Sequence, residues 1–203
     1  INFISNNKSL KGIIISTDHN NYDYDYDLNF LMSLKNSELI FNTITKFSKA
    51  MRKLETIGKP IVSIISGEIK LGGLEIILHA HHRIANKNNT TFYFKNTKYS
   101  LMPSIGGSQR LPRQIGIEKS INLFLSDKVM SAEEALEHNL VNEIVDESEL
   151  FNKAKEYIIK NPSSLQDWDN KKLMRSQPNP FSNENLNYFI SKIAALHANT
   201  FNH

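Results

Sequence analysis

The chain predicts an α/β fold, a layered domain in which short buried strands alternate with amphipathic helices. Three observations carry this expectation. Compact β-branched runs, Ile13-Ile14-Ile15 and Ile61-Val62-Ser63-Ile64-Ile65, have the length and composition of buried strands. Between them Leu39, Ile40, Ile44, Phe47, Met51 and Leu54 recur at the spacing of one helix face. The strand-then-helix order then repeats toward Ile159, which is the pattern of a sheet with helices packed on it.

Each element has a local reason. Gly12 precedes the first strand, placed at residues 11–16. Residues 18–27 alternate Asp and Tyr, but the density of Asp and Asn favours a loop over a strand. The helix of residues 37–57 is stopped by Gly58-Lys59-Pro60, and a second strand follows to Gly67. A helix is expected to open at Gly72 and run through Leu74 to His79. Arg83-Ile84-Ala85 and residues 90–94 read as brief strands, and residues 117–126 as a helix. Ser131-Ala132-Glu133-Glu134 is a capping box that starts a helix ending near Asn139. A strand at 141–145 and a helix at 149–159 complete the domain, set at residues 1–160. The remaining residues, 161–203, read as a polar, Pro-containing linker over 163–185 and a helix near 186–197.

Composition excludes several classes. With 203 residues, 40% hydrophobic and 22% charged, the chain suits one packed domain rather than a disordered or fibrous protein. No run of eighteen apolar residues offers a membrane span, and no secretory signal pattern heads the chain. The absence of cysteine removes disulfide scaffolds and thiolate metal sites. A net charge of +3 without clustering does not make a nucleic-acid surface. His79, His81 and His82 lack a third ligand at convincing spacing, so no metal site is expected, although His79 and His82 would share a helix face. Phe92, Tyr93 and Phe94 read as core and pocket wall.

The stretch with chemical meaning is Leu71-Gly72-Gly73-Leu74-Glu75. Paired glycines at a helix start expose backbone N–H groups, and a carboxylate set just beyond them can handle a proton beside a developing oxyanion. Met102-Pro103-Ser104-Ile105-Gly106-Gly107-Ser108-Gln109-Arg110-Leu111-Pro112-Arg113 follows about thirty residues later. Together with Lys59-Pro60 through Gly67, Arg83-Ile84-Ala85, and Ser131 to Val145, these segments resemble the enoyl-CoA hydratase/isomerase (crotonase) family in order and spacing. The resemblance covers roughly residues 5–160.

The resemblance implies a crotonase-like layered β-β-α spiral with a helical C-terminal tail and without the opening strands of the family's sheet. It implies hydration of trans-2-enoyl-CoA to 3-hydroxyacyl-CoA, with coenzyme A as part of the substrate and no separate cofactor. The thioester oxygen would be held by the backbone amides of Gly72 and of Tyr26, the latter in the loop Asp25-Tyr26-Asp27. Asp25, Asp27, Leu71, Gly73, Pro103 and Gly106 would line the substrate path, and Glu75 would be the first catalytic acid. The second family acid, seven residues before Pro103, is replaced by Asn96, which cannot exchange the catalytic proton at neutral pH. Leu71, Asp25 and Ser100 stand where glycines are usual in the family, Tyr26 where a small residue is, and Lys70 where a small or apolar one is.

The resemblance therefore implies a β-oxidation hydratase of weakened activity. An isomerase or hydrolase working with Glu75 alone, and a non-catalytic acyl-CoA-binding or assembly subunit, stand beside it. Gln166-Asp167-Trp168-Asp169-Asn170-Lys171-Lys172 resembles the linker before a 3-hydroxyacyl-CoA dehydrogenase in bifunctional members, so a longer parent protein is expected. No Gly-x-Gly-x-x-Gly occurs within the chain itself. A cytoplasmic homo-oligomer, or a place in a β-oxidation complex, completes the expectation.

Overall fold

The computed structural model describes residues 1–16, 30, 33–34, 36–92, 104–125, 129–172, 182, 187 and 190–191. A short helix α1 (Asn2–Asn6) precedes strand β1 (Ile13–Ile15). The long helix α2 (Ser37–Glu55) begins at Asn36, whose side chain accepts the Glu38 amide at 2.8 Å and so caps the first turn. Strands β2 (Ile61–Ile65) and β3 (Glu68–Ile69) lead into helix α3 (Leu71–Ile77), and β4 (His82–Asn86) and β5 (Thr91–Phe92) follow. Helices α4 (Gly107–Ile115) and α5 (Ile117–Leu125), strand β6 (Met130–Ser131), helix α6 (Ala132–Glu137), strand β7 (Glu143–Val145) and helix α7 (Leu150–Lys160) complete the order. A single 3₁₀ turn, Asp167–Asp169, lies beyond them.

Among the described residues, four strands form a parallel sheet in the order β1-β2-β4-β7, and three form a smaller one, β3-β5-β6. Register pairs Ile14 with Val62, Ile64 with Ile84, and Ala85 with Ile144. Side chains alternate across each strand. Val62 and Ile84 therefore face α7, packing with Val145, Leu150, Ala154 and Ile158. Ile65 and Ala85 face the other way, into a larger core with Leu74, Ile77, Phe92, Leu111, Ile115 and Leu140. That second core fixes α3 and α4 against the sheet, and it sets the position of the candidate site.

The predicted strands and helices recur with shifted ends, as element boundaries generally do. Helix α3 begins at Leu71, one residue before the expected start, so Gly72 and Gly73 lie inside its first turn and not ahead of it. Helix α4 was not among the expected elements, and it carries Pro112 in its interior at the cost of one helical hydrogen bond. It forms because Arg110, Leu111 and Ile115 are buried against the larger core and α2, and it stops at Gly116, whose φ is 85°. The two-residue strands β3 and β6 are too short to carry a pattern. The capping box is present as read: Ser131 Oγ accepts the Glu134 amide at 3.2 Å, and the Glu134 carboxylate accepts the Ser131 amide at 3.1 Å. Asn139, at φ 61°, turns the chain after α6.

His79 and His82 do not share a helix face, since α3 ends at Ile77 and His82 opens β4. Of the run read as a linker, Ser164 and Gln166 are buried against the domain. The loop of residues 18–27 lies outside the described residues, as does almost all of the helix expected near 186–197.

Gly12 sits where β1 passes α7. A Cβ there would lie 2.7 Å from Ile158 Cγ2 and 2.9 Å from the Pro60 carbonyl oxygen. Gly12→Ala is expected to destabilise the fold by about 1–3 kcal/mol, as overpacking does. Ile158→Ala in the same chain should recover only part of this beyond its own cavity cost, because the Pro60 backbone cannot retreat; urea titration of the double-mutant cycle measures the coupling.

Candidate active site

Glu75 lies on α3 with no solvent exposure, beside the core residues Leu74 and Ile77. A buried carboxylate needs hydrogen-bond donors, or its desolvation is uncompensated. Two backbone amides supply them: Ile105 N–H and Gly107 N–H both donate to Glu75 Oε1, each at 2.8 Å. These amides flank Gly106 at the start of α4, where first-turn N–H groups have no partner within the helix and the dipole favours an anion.

Gly106 permits this seat. Its φ of 117° is one that side chains disfavour, and a Cβ would fall 2.0 Å from Arg110 Nη1 and 3.8 Å from His79 Nε2. Arg110 cannot simply swing away, because it is engaged by Glu55 of α2. Arg110 Nε and Nη2 donate to the two Glu55 carboxylate oxygens at 2.9 and 2.5 Å, and the Glu55 side chain is fully buried. Arg52 also donates to Glu55, at 2.6 Å, and meets Asp169 through both terminal nitrogens. The hydrogen bonds to Asp169, and then those with the charge of Glu55, raise the Arg52 pKa against the opposing effect of burial. Removing one member of the Glu55–Arg110 pair would strand a buried charge, a loss of about 3–5 kcal/mol.

His79 closes the far side. Its Nδ1 lies 2.7 Å from the Glu75 carbonyl oxygen, which can only accept, so Nδ1 carries the proton and Nε2 is left as an acceptor. That Nε2 is buried without a hydrogen-bond partner among the described residues. Burial first, and the Arg110 charge second, push the His79 pKa down to about 4.

Of the expected site residues, the structure brings Glu75 and Gly106 together. It places Gly72 and Gly73 in the first turn of α3, ahead of the first helical bond from Leu74 N–H to the Lys70 carbonyl at 2.8 Å. Leu71 opens that helix. Asp25, Tyr26, Asp27, Asn96 and Pro103 lie outside the described residues. Reading the sequence missed the amides of Ile105 and Gly107, and also Arg110, Glu55 and His79. The Gly106-Gly107 pair beside a basic residue was the available signal for the first three. Among the described residues, no three His, Asp or Glu side chains are grouped to hold a metal ion, and no helix is long and apolar enough to cross a membrane.

A parallel sheet, a short helix with two glycines in its first turn and a buried acid, and a second helix start clamping that acid define a crotonase-fold protein. The chain belongs to the enoyl-CoA hydratase/isomerase family, whose pattern matches residues 1–201. It is 29% identical over 162 residues to the fatty acid oxidation complex subunit alpha of Idiomarina loihiensis, a match spanning 79% of this chain and 23% of that protein. The enoyl-CoA hydratase structure from Bacillus halodurans is 28% identical, with a TM-score of 0.68 over 77% of this chain and 64% of that one. The Bacillus anthracis enoyl-CoA hydratase is 26% identical, with a TM-score of 0.68 over 78% and 61%. A structure from Geobacillus kaustophilus, at 21% identity, shares the fold with a TM-score of 0.74 over all of this chain and 76% of that one. The chain thus spans about a quarter of the curated relative and under two thirds of the two Bacillus hydratases.

The neutral state of His79 makes stability depend on pH. An unfolded histidine titrates at the ordinary value of 6.5, so between there and about 4 the unfolded chain holds a proton that the folded one refuses. Stability is full above about pH 6.5 and falls by about 3 kcal/mol as pH drops toward 4. His81 and His82 are shifted in the same direction by burial and add to the slope. His79→Met should flatten the acid limb by about one proton; urea midpoints measured from pH 7 to pH 4.5 check this.

Proposed function

We propose that this chain carries an enoyl-CoA hydratase site in which Glu75 is the acid–base group, acting on the acyl-CoA thioesters of β-oxidation. The observation supporting this most directly is the clamp on Glu75. Two amide donors on Oε1 fix the orientation of the carboxylate, and the proton exchange is assigned to its other oxygen. In the proposed step, Glu75 Oε2 takes a proton from water as the water oxygen bonds to C3 of a trans-2-enoyl thioester. The C2=C3 electron pair moves onto the thioester oxygen as an enolate. The amides of Gly72 and Tyr26 are assigned to hold that oxygen, the kind of stabilisation whose loss costs about 2.7–4 kcal/mol per donor. Glu75 then returns the proton to C2, giving the 3-hydroxyacyl thioester with no net change in protonation.

Asn96, at the position of the second acid, limits this chemistry to one proton-transfer group. General acid–base assistance is typically worth 10²–10⁴-fold, so slow hydration is the reading. The same substitution favours a second reading, an acyl-CoA-binding subunit without turnover. The likeness to the Idiomarina protein supports a β-oxidation setting. Association with a dehydrogenase, a cytoplasmic location and a homo-oligomeric assembly belong to the same proposal.

Crotonyl-CoA hydration by the purified chain, run beside a thermal-shift titration with the same ester, separates the readings. Glu75→Gln keeps an acceptor oxygen for both amides and is expected to lower kcat about 10²–10⁴-fold with ligand stabilisation retained. Asn96→Glu should raise turnover. Saturable stabilisation without hydration, in the wild type and in Asn96→Glu alike, would make this a binding domain.

A further inference from the structure

The segment that follows α7 is linked to both halves of the Glu75 clamp, directly beyond the end of α3 and through α2 to α4, and the hydratase step as derived makes no use of it. Its first contact is with the helix that carries Glu75. Gln166, buried to 6% exposure, donates through Nε2 to the carbonyl oxygens of His79 and Ala80 at 3.2 and 3.1 Å. These carbonyls lie just beyond the end of α3, and His79 itself holds the Glu75 carbonyl oxygen at 2.7 Å. The second contact is with α2, and through it the segment reaches the helix whose start seats the carboxylate. Asp169 accepts from Arg52 at 2.8 Å, Arg52 donates to Glu55 at 2.6 Å, and Glu55 grips Arg110. The Arg110 side chain lies over Gly106, between the two amides that bind Oε1, with Nη1 3.5 Å from the Gly106 carbonyl oxygen.

The two contacts differ in strength. The inner pair is enclosed, with side-chain exposures of 0% for Glu55 and 11% for Arg110. The outer pair is open, with 43% for Arg52 and 19% for Asp169. The outer pair is more open to solvent and salt than the enclosed inner one, so of the two joints it is the one that can release.

We propose that residues 164–169 form a strap in which Gln166 and Asp169 are positioning residues for Glu75. Gln166 fixes the end of α3, and Asp169, through Arg52, Glu55 and Arg110, fixes the first turn of α4. With the strap seated, the carboxylate and its two amide donors are held in one geometry. With it released, α4 keeps its apolar anchors Leu111 and Ile115 in the core and its Arg110–Glu55 pair, but Arg52 is no longer held against Glu55 from outside, so the brace on its first turn loosens. A partner domain or chain that pulls on the segment after α7 would reach the site by this route.

The kinetic part of this inference rests on the hydratase reading; the structural part does not, so two readouts are needed. Gln166→Ala/Asp169→Asn is compared with the wild type and with Asp146→Asn, which breaks an exposed pair with Lys87 at the edge of the sheet. Native-state amide exchange resolved at Ile105 and Gly107 is expected to quicken roughly tenfold in the double variant, while amides of β2 and β4 exchange as in the wild type. Asp146→Asn should leave both sets unchanged. Turnover of crotonyl-CoA should fall through kcat, with KM held within about twofold, because an interaction that acts only on the positioned acid does not alter ground-state binding. Unchanged exchange at Ile105 and Gly107 would overturn the strap. So would quickening shared equally by β2 and β4, which marks general destabilisation. A wild-type chain with no turnover would refute the hydratase reading alone, and the exchange pattern would still decide the strap.

Discussion

The structure around the site depends on one requirement: a carboxylate with no solvent exposure must be met by donors. The core places Glu75 where water cannot solvate it, since Leu74, Ile77 and Leu78 anchor α3 against Ile65, Phe92 and Leu111. The compensation comes from a helix start more than thirty residues later, and everything needed to keep that start in place follows. Gly106 adopts a backbone angle closed to other residues, Arg110 braces it, and Glu55 neutralises Arg110 from α2. His79 stays neutral in the same pocket, chiefly because it is buried and secondarily because of the Arg110 charge beside it. A charged side chain in the core has thus determined the identity of at least three others.

The fold was legible wherever apolar spacing was strong. Ile61–Ile65 and Ser37–Glu55 appear close to their expected spans, and Ser131–Glu134 caps α6 as its pattern requires. What could not be read was structure imposed by packing over local preference. Pro112 argues against a helix, yet the burial of Leu111 and Ile115 around it outweighs the missing N–H. The strands β3 and β6, two residues each, exist because β5 lies between them.

The site was legible in a different proportion. Glu75 and the glycine pairs stood out because their order and spacing match the family pattern; alone, a glycine pair is an ordinary turn signal and a first-turn acid an ordinary helix feature. The donors to Glu75 were hidden, since every residue has an amide and only the three-dimensional arrangement shows which two point inward. Glu55 and Arg110 were hidden for another reason: 55 residues separate them, and each alone resembles a solvated surface charge. Asp169 is 117 residues from Arg52 and read as part of a polar linker.

Those separations give the charged cluster a place in the order of assembly. Joining residues so far apart closes long loops of chain, and that entropic cost falls due before the contact returns anything. The Arg52–Asp169 contact in particular closes a loop that encloses most of the domain, and that closure costs least once the sheet has already brought α2 and α3 together. Interactions formed that late hold back unfolding more than they hasten folding. The cluster beneath Glu75 therefore acts as a latch on the finished molecule, and its effect is on how long the site persists once built.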